Sequence, residues 1–166
     1  MEVLSIQPFL EYFGKVRERT MRVARCVPAD TIDWSFPPGK FTIGDILRHI
    51  AVAERCMFAE NIQGHGSRYT SHGKELADGR DNILVLMERL HGESMEIFAE
   101  LSDADLRAKC GNPGGVEIAK GKWLRARVEH EIHHRGPLYM YLGLLDVPTP
   151  ALYGLTSEEV RARSEA

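Results

Sequence analysis

Four long stretches of the sequence carry apolar residues at intervals of three and four, and this pattern constrains the fold more than any other feature. Such spacing places the apolar side chains on one face of an α-helix. The stretches cover about residues 6–26, 42–64, 80–101 and 121–144. No stretch alternates apolar and polar residues over five or more positions with β-branched enrichment, so a sheet has little to be built from. The pattern therefore predicts an all-α four-helix bundle.

Stop and cap residues mark the ends of the predicted helices. Pro28 follows the first helix as a stop, and Thr42 starts the second, with Asp45 three residues on to form a capping box. Residues 64–79 contain four glycines and little apolar content, which indicates a long crossing connection and not a tight antiparallel turn. We therefore expect a bundle with a long crossover connection, a variant that helical bundles use.

Two weaker signals lie outside the four main helices. Residues 102–105 predict one more helical turn after the third helix. The tail after Pro148 is expected to be mostly irregular, with Ser157 and Glu158 capping a short terminal turn.

Length, charge and cysteine content limit the classes of protein to which the chain can belong. A chain of 166 residues predicts a single domain over 1–166. A net charge of −3 gives no positive field for nucleic acid, and no apolar run approaches the ~20 residues that a membrane span needs. Three dispersed cysteines and a start without a basic, cleavable leader favour a reduced cytoplasmic location. A small-molecule substrate is the expected partner.

The distribution of seven histidines points to a metal site. His130 and His134 lie four apart in the fourth helix, so both imidazoles share one face. His49 lies at the edge of the apolar stripe of the second helix. Three neutral imidazoles from two facing helices would match the three-ligand, open-position pattern of a catalytic zinc-type site. Spacing alone leaves two alternatives open: a coincidental pair, and a His49 that only packs in the core.

The remaining histidines have simpler interpretations. His133 is rotated by about 100° from His134, which predicts that it supports the ligands from outside the ligand set or lies at an interface. The simplest interpretation of the other three is a solvent-facing position: His65, His72 and His91.

A competing motif overlaps the histidine pair. Residues 130–134, HEIHH, match the H-E-x-x-H signature of zinc proteases, in which the glutamate is the general base. That interpretation is disfavoured because His133 stands where those enzymes need an uncharged, usually apolar residue. Pro137 and Met140 also occupy the positions that the longer signature assigns to Gly and His.

Two segments together resemble the DinB/YfiT-like family of bacterial metal-binding helical bundles. They are FTIGDILRHIAVAE at 41–54 and EHEIHHRGPLYMYLGLLDVPTPALYG at 129–154. The resemblance implies that the second helix supplies one ligand from an L-x-H-I-type segment and the fourth supplies two from an H-x-x-x-H-R-G-Q segment. By position these ligands are His49, His130 and His134. Pro137 replaces the usual Gln, and a proline there should kink the helix just past the ligands.

The resemblance implies a metal-dependent enzyme, most simply a thiol S-transferase with a low-molecular-weight thiol as cosubstrate. The alternatives are a metal-dependent hydrolase and a non-catalytic, stress-associated metal-binding or interaction protein. Imidazole suits several divalent ions, so zinc, nickel, iron, manganese and also copper stay open. Glu131 and Arg135 are weak catalytic candidates, with a solvated charge and a structural salt bridge as the favoured simpler roles. Similar proteins often form homodimers.

Overall fold

The structure is a computed structural model, and it describes residues 2–165. The second of its long helices, α2, begins as an α-helix at Ile43–Ala53, passes through a π-helical turn at Glu54–Ala59 and ends with one α-helical turn at Glu60–Ile62. The other long helices are α1 (Ile6–Ala24), α3 (Arg80–Ala99) and α4 (Lys120–Leu144). Short 3-10 turns lie at Ala29–Thr31 and Asp105–Arg107.

The four long helices pack as a bundle. Helix α1 packs against α3 and α4, and α2 packs against the same two helices. The prediction of an all-α four-helix bundle is therefore confirmed. Helices α2 and α4, which carry the predicted metal ligands, are direct neighbours. None of the described helices is both long and apolar enough to cross a bilayer.

The start of α2 is fixed by the predicted capping box. The Asp45 backbone N–H donates to Thr42 Oγ1, and the Thr42 backbone N–H donates to the Asp45 carboxylate, both at 3.0 Å. These two bonds satisfy donors that the first turn of a helix leaves without partners. Because the cap fixes where α2 begins, it also fixes which face of the helix His49 occupies.

The bundle interior consists of two apolar clusters with a polar layer between them. One cluster includes Ile46, Leu47, Ile50, Ile83, Met87, Leu138 and Leu142, and the other includes Phe9, Phe13, Phe58, Phe98 and Leu124. Along each long helix, polar residues separate the two sets. The buried polar residues of this layer are Arg17, Thr20, Glu54, Ser94, Arg127, Glu131 and Arg135. Two of the predicted metal ligands, His130 and His134, adjoin Glu131 and Arg135 of this layer along α4.

A small antiparallel hairpin is an addition to the predicted all-helical pattern. Strand β1 (Lys109–Gly111) pairs with β2 (Glu117–Ala119), with Cys110 opposite Ile118. The sequence offered little from which to build a sheet, and this hairpin of two short strands was not predicted. Strands of three residues are too short to show an alternating pattern, and the Gly/Pro-containing loop between them carries the only local turn signal.

The tail and the segment after α3 differ in detail from the sequence expectation. Helix α5 (Ser157–Ser164) begins one residue after Thr156, which forms a capping box with Glu159 in place of the expected Ser157 and Glu158. The extra turn expected at 102–105 lies at Asp105–Arg107. Helix α4 continues through Pro137 to Leu144, so the proline does not end it, and the expected kink stays a prediction.

Candidate metal centre

Three histidines from α2 and α4 converge on one site. His49 of α2 and His130 and His134 of α4 each offer a ring nitrogen, and these atoms lie within 4.8 Å of one another. The ring centroid of His134 lies 4.4 Å from that of His49 and 4.4 Å from that of His130. The Nε2 atoms of His49 and His130 are 3.1 Å apart. The structure therefore brings together all three residues that the sequence proposed as ligands.

Local sequence explains this convergence. The four-residue spacing of His130 and His134 stacks their rings on one face of α4. On α2, His49 follows the buried Leu47 and precedes the buried Ile50, so its half-buried ring lies at the boundary of the apolar face. Packing of α2 on α4 then places that ring against the pair.

The donor set fits a divalent transition metal ion. Two nitrogens bound to zinc at about 2.0–2.1 Å in tetrahedral geometry lie roughly 3.3 Å apart, which is close to the 3.1 Å between the Nε2 atoms of His49 and His130. Three imidazoles and no carboxylate form the group within the described residues. Such a set leaves a fourth position for a substrate atom.

The surroundings keep the three imidazoles neutral. Burial, followed by nearby positive charges such as that of Arg127, lowers the pKa of His49 to about 4 and that of His130 to about 2. Burial and the adjacent His133 lower the pKa of His134 to about 4. A neutral imidazole has a lone pair on one ring nitrogen, which is the form that binds a metal ion.

The outer nitrogens of His49 and His130 have different surroundings. Nδ1 of His49 lies 2.7 Å from the hydroxyl of Tyr69, and that hydroxyl lies 2.8 Å from Nδ1 of His72. Nδ1 of His130 is buried and has no hydrogen-bond partner within residues 2–165. Burial raises the pKa of Tyr69, so its hydroxyl keeps its proton at neutral pH. The expectation that His72 faces solvent is wrong, because Tyr69 binds it and Phe41 packs against its ring.

Glu131, next to a predicted ligand, belongs to a buried ion cluster that we define as Arg17, Glu54, Arg127 and Glu131. Its Oε2 accepts from Arg17 Nη2 at 2.9 Å and from Arg127 Nη2 at 2.7 Å. Glu54 accepts from Arg127 at 2.6 Å and also contacts Arg17. The interpretation of Glu131 as a solvated charge is wrong, since its side chain is fully buried. The contacts of Glu131 do not support a role as general base.

His91 also contacts the buried ion cluster. Its Nδ1–H donates to Glu54 Oε1 at 2.8 Å, and only 16% of the His91 side chain is exposed. The expectation that His91 faces solvent is therefore wrong. The adjacent Arg17, Arg127 and His91 together lower the pKa of Glu54 despite the opposing effect of its burial. His65, in contrast, is exposed as expected, and His133 is exposed as well, while its predicted supporting or interface role stays a prediction.

Arg135 connects α4 to α1 and to the tail. Its guanidinium donates to the Val16 carbonyl at 3.4 Å, to Thr20 Oγ1 at 3.5 Å and to the Tyr153 hydroxyl at 3.1 Å. No carboxylate pairs with it in the part of the chain that the structure describes, so the expected salt bridge is wrong. The interhelical contacts support a structural role.

Sequence reasoning missed Tyr69, His72 and the buried ion cluster. Arg127 and Glu131 did offer a signal, because their spacing is four and Arg127 lies between Leu124 and Val128 on the apolar face of α4. Tyr69 and His72 offered none, since they lie in the glycine-containing connection without helical periodicity.

Several solved structures share this architecture. A DinB-like protein from Bacillus cereus ATCC 10987 matches with a TM-score of 0.80 and 18% identity, covering 91% of this chain and 99% of its own. YfiT from Bacillus subtilis, described as a probable metal-dependent hydrolase with an unusual four-helix bundle topology, has a TM-score of 0.69 and 14% identity. That match covers 86% of this chain and 89% of YfiT.

The mycothiol-dependent maleylpyruvate isomerase also matches, with a TM-score of 0.65 and 16% identity, over 83% of this chain and 63% of the isomerase. At identities this low, the structural matches show a shared fold and nothing more. No curated protein matches the chain. The sequence match to the DinB superfamily extends over residues 12–138, which include all three histidines. By this match the chain belongs to the DinB superfamily.

Proposed function

We propose that the protein is a metal-dependent thiol S-transferase in which His49, His130 and His134 hold a divalent ion. The observation that carries the proposal is the convergence of three neutral imidazoles from α2 and α4 within 4.8 Å. When bound there, such an ion would act as a Lewis acid and lower the pKa of a thiol or a water molecule at its remaining coordination position. Because all three ligands are neutral, none of them reduces the charge of the ion.

The protein's own charged groups favour a thiol over water as the activated group. Both carboxylates of the buried ion cluster, Glu54 and Glu131, are paired with arginines, and neither forms a hydrogen bond with the three predicted ligands. A free thiol has a pKa near 8.5, whereas that of bulk water is about 15.7, so a thiol needs less assistance from a base. Likeness to an isomerase that depends on mycothiol supports the same class of cosubstrate.

A metal-dependent hydrolase is the second candidate. Likeness to YfiT, described as a probable metal-dependent hydrolase, favours it, and a three-histidine site is compatible with water activation. The two candidates differ in whether a thiol is consumed. A third, the non-catalytic metal-binding protein, would retain the ion and turn over neither class of substrate.

The first test is the metal content of untagged protein purified without added metal. We expect near-stoichiometric metal in the wild type and its loss in His49→Ala, His130→Ala and His134→Ala. His133→Ala is the matched control, because His133 is adjacent on α4 but exposed. Retention of metal by the first three variants would contradict the proposed ligand set.

The second test separates the candidate reactions. Metal-loaded protein is assayed with glutathione, mycothiol or bacillithiol and an activated aryl chloride: a C–S bond forms, the C–Cl bond breaks, chloride leaves and the thiol proton passes to solvent. Parallel assays use an activated ester without thiol. Metal-dependent thioether formation that His130→Ala abolishes supports S-transfer. Ester hydrolysis alone supports the hydrolase, and no turnover in either assay supports the non-catalytic protein.

A further inference from the structure

We propose that Tyr69 and His72 are positioning residues, which hold the ring of His49 in the tautomer and orientation that metal binding requires. The inference rests on the proposed metal site but not on the reaction assigned to it. Both residues belong to the connection between α2 and α3, which supplies none of the three ligands. The connection thereby becomes a functional part of the site.

The direction of the hydrogen-bonded chain follows from the position of His49 in the site. Its Nε2 faces His130 and must keep a lone pair to bind a metal ion, so its proton resides on Nδ1. Nδ1–H then donates to the Tyr69 oxygen at 2.7 Å, and the Tyr69 hydroxyl donates to Nδ1 of His72 at 2.8 Å. Each of these donors meets one acceptor. Only this direction leaves Nε2 of His49 unprotonated.

Arg48, one residue before His49 on α2, binds the backbone of the connection that carries His72. Its Nε donates to the His72 carbonyl at 2.7 Å, and its Nη1 donates to the Ala77 carbonyl at 3.0 Å. Its Nη2 pairs with Asp45 at 2.7 Å, and the whole side chain is buried. Gly44 leaves room for this guanidinium, since a Cβ there would lie 3.1 Å from Nη1. The turn of α2 that presents His49 therefore also fixes the backbone at His72.

Aromatic packing fixes the ring at the far end of the chain. The centroids of Phe41 and His72 lie 4.2 Å apart, and the Phe41 ring also lies 6.0 Å from that of His49, edge to face. A ring held on one side and bonded through Nδ1 on the other offers Tyr69 a fixed acceptor. The His49 side of the site is thus held by a layer of supporting contacts.

His130 has no comparable support, and this contrast makes the chain testable. Its Nδ1 has no partner within the described residues, so its hydrogen bonding does not orient its ring in the same way. Hydrogen bonds to the outer nitrogen of a metal-binding histidine commonly contribute ten- to hundredfold in metal affinity. The loss of the Tyr69 hydroxyl is therefore expected to weaken metal binding by that amount.

The test measures affinity for Zn²⁺ and Co²⁺ by competition with a chelator, together with the melting temperature of the metal-free protein. Tyr69→Phe and His72→Leu remove one member of the chain each. His72→Asn keeps an acceptor oxygen near the position of Nδ1. Tyr12→Phe, at a half-exposed tyrosine on α1, is the matched control.

We expect Tyr69→Phe and His72→Leu to bind both metals about ten- to hundredfold more weakly. His72→Asn should recover most of that affinity, and Tyr12→Phe should match the wild type. The double variant Tyr69→Phe/His72→Leu should lose no more than Tyr69→Phe alone, because one chain is broken in both. The melting temperature of the metal-free protein should change little, which separates positioning from a merely structural role.

Wild-type affinity in Tyr69→Phe, or equal losses in His72→Asn and His72→Leu, would overturn the inference and leave the proposed function intact. A wild-type protein that binds neither metal would overturn both. A metal-binding protein with no activity would refute only the proposed reaction.

Discussion

The three-histidine site and the two carboxylates of the buried ion cluster are neighbours on α2 and α4, yet their chemistry is opposite. His130 and Glu131 are adjacent in α4, and His49 and Glu54 are five residues apart in α2. The histidines are neutral, half-buried and close together without a carboxylate among them. The two carboxylates are fully buried and closed off by Arg17 and Arg127.

The difference arises because a buried charge needs a partner of opposite charge, whereas a neutral imidazole does not. The roughly 100° rotation between successive helical residues separates Glu131 from His130. Arg127 acts on both regions, since it binds both carboxylates and also lowers the pKa of each of the three histidines. The ion cluster is therefore expected to stabilise the fold with or without metal, and the histidines only when metal is bound.

The largest effect on the free energy of unfolding is expected from Glu131→Gln. This change leaves two buried arginines, Arg17 and Arg127, with one carboxylate, that of Glu54. Removing one partner of a buried ion pair commonly costs about 3–5 kcal/mol in the free energy of unfolding. Urea denaturation of the metal-free protein measures this change. Glu129→Gln is the control, because that exposed carboxylate pairs with Arg125 on the surface and is worth about 0–1 kcal/mol. Equal losses in the two variants would contradict the distinction between the regions.

The second effect appears only when metal is present. At a free metal concentration one hundred times the dissociation constant, binding should stabilise the wild type by about 2.7 kcal/mol. His130→Ala should gain nothing from metal, and His133→Ala should gain as much as the wild type. Denaturation curves with metal and with a chelator measure the difference. Stabilisation of His130→Ala by metal would place the binding site elsewhere.

A smaller effect is expected from His91→Phe, which keeps a ring against Phe13 but removes the hydrogen bond to Glu54. The loss of a bond to a charged group should lower the free energy of unfolding by about 2 kcal/mol. Metal affinity should match that of the wild type, because His91 makes no contact with the three histidines. Weaker metal binding would show that the two regions are coupled through Glu54.

The smallest effect concerns pH. An imidazole binds metal in its neutral form, and the pKa values of the three histidines, about 4, 2 and 4, lie below pH 5. Metal affinity should therefore change less than about twofold between pH 7 and pH 5, whereas three imidazoles of ordinary pKa would lose roughly 10⁴-fold. Calorimetric titration at both pH values measures it. A loss of metal affinity near 10⁴-fold would show that the imidazoles are not shielded from protonation.

Acid should also destabilise the metal-free fold. The direction of this change in stability with pH follows from the same pKa values. Below the ordinary histidine pKa near 6.5 the unfolded chain takes up protons that the folded site excludes, so stability falls as pH falls from about 6.5 to 4. The carboxylate of Glu54, with its lowered pKa, loses its contribution below the ordinary range for glutamate. Urea denaturation at pH 7 and pH 5 checks the direction.

Sequence reasoning was most accurate where the interactions are local. The helix bounds were predicted to within a few residues, and Thr42 and Asp45 form the expected cap. In the HEIHH segment, Glu131 pairs with Arg127, a contact that does not support the general-base role of the protease signature. The hairpin at 109–119, the π-helical turn at Glu54–Ala59 and the surroundings of His72 and His91 were missed. None of these features has a periodic or motif signal of its own.

By itself, the sequence determined the helical elements and the shared face of His130 and His134, because helical periodicity and capping act within a few residues. It also determined membership of the superfamily, through the match over residues 12–138. Only the tertiary structure decided that His49 meets that pair, that Tyr69 and His72 support it and that Glu131 is paired with arginines. The contacts among these that join different elements connect residues 20 to 114 positions apart, as from His49 to Tyr69 and from Arg17 to Glu131. The packing of whole helices and the desolvation of their charges select such contacts, and no local pattern encodes either.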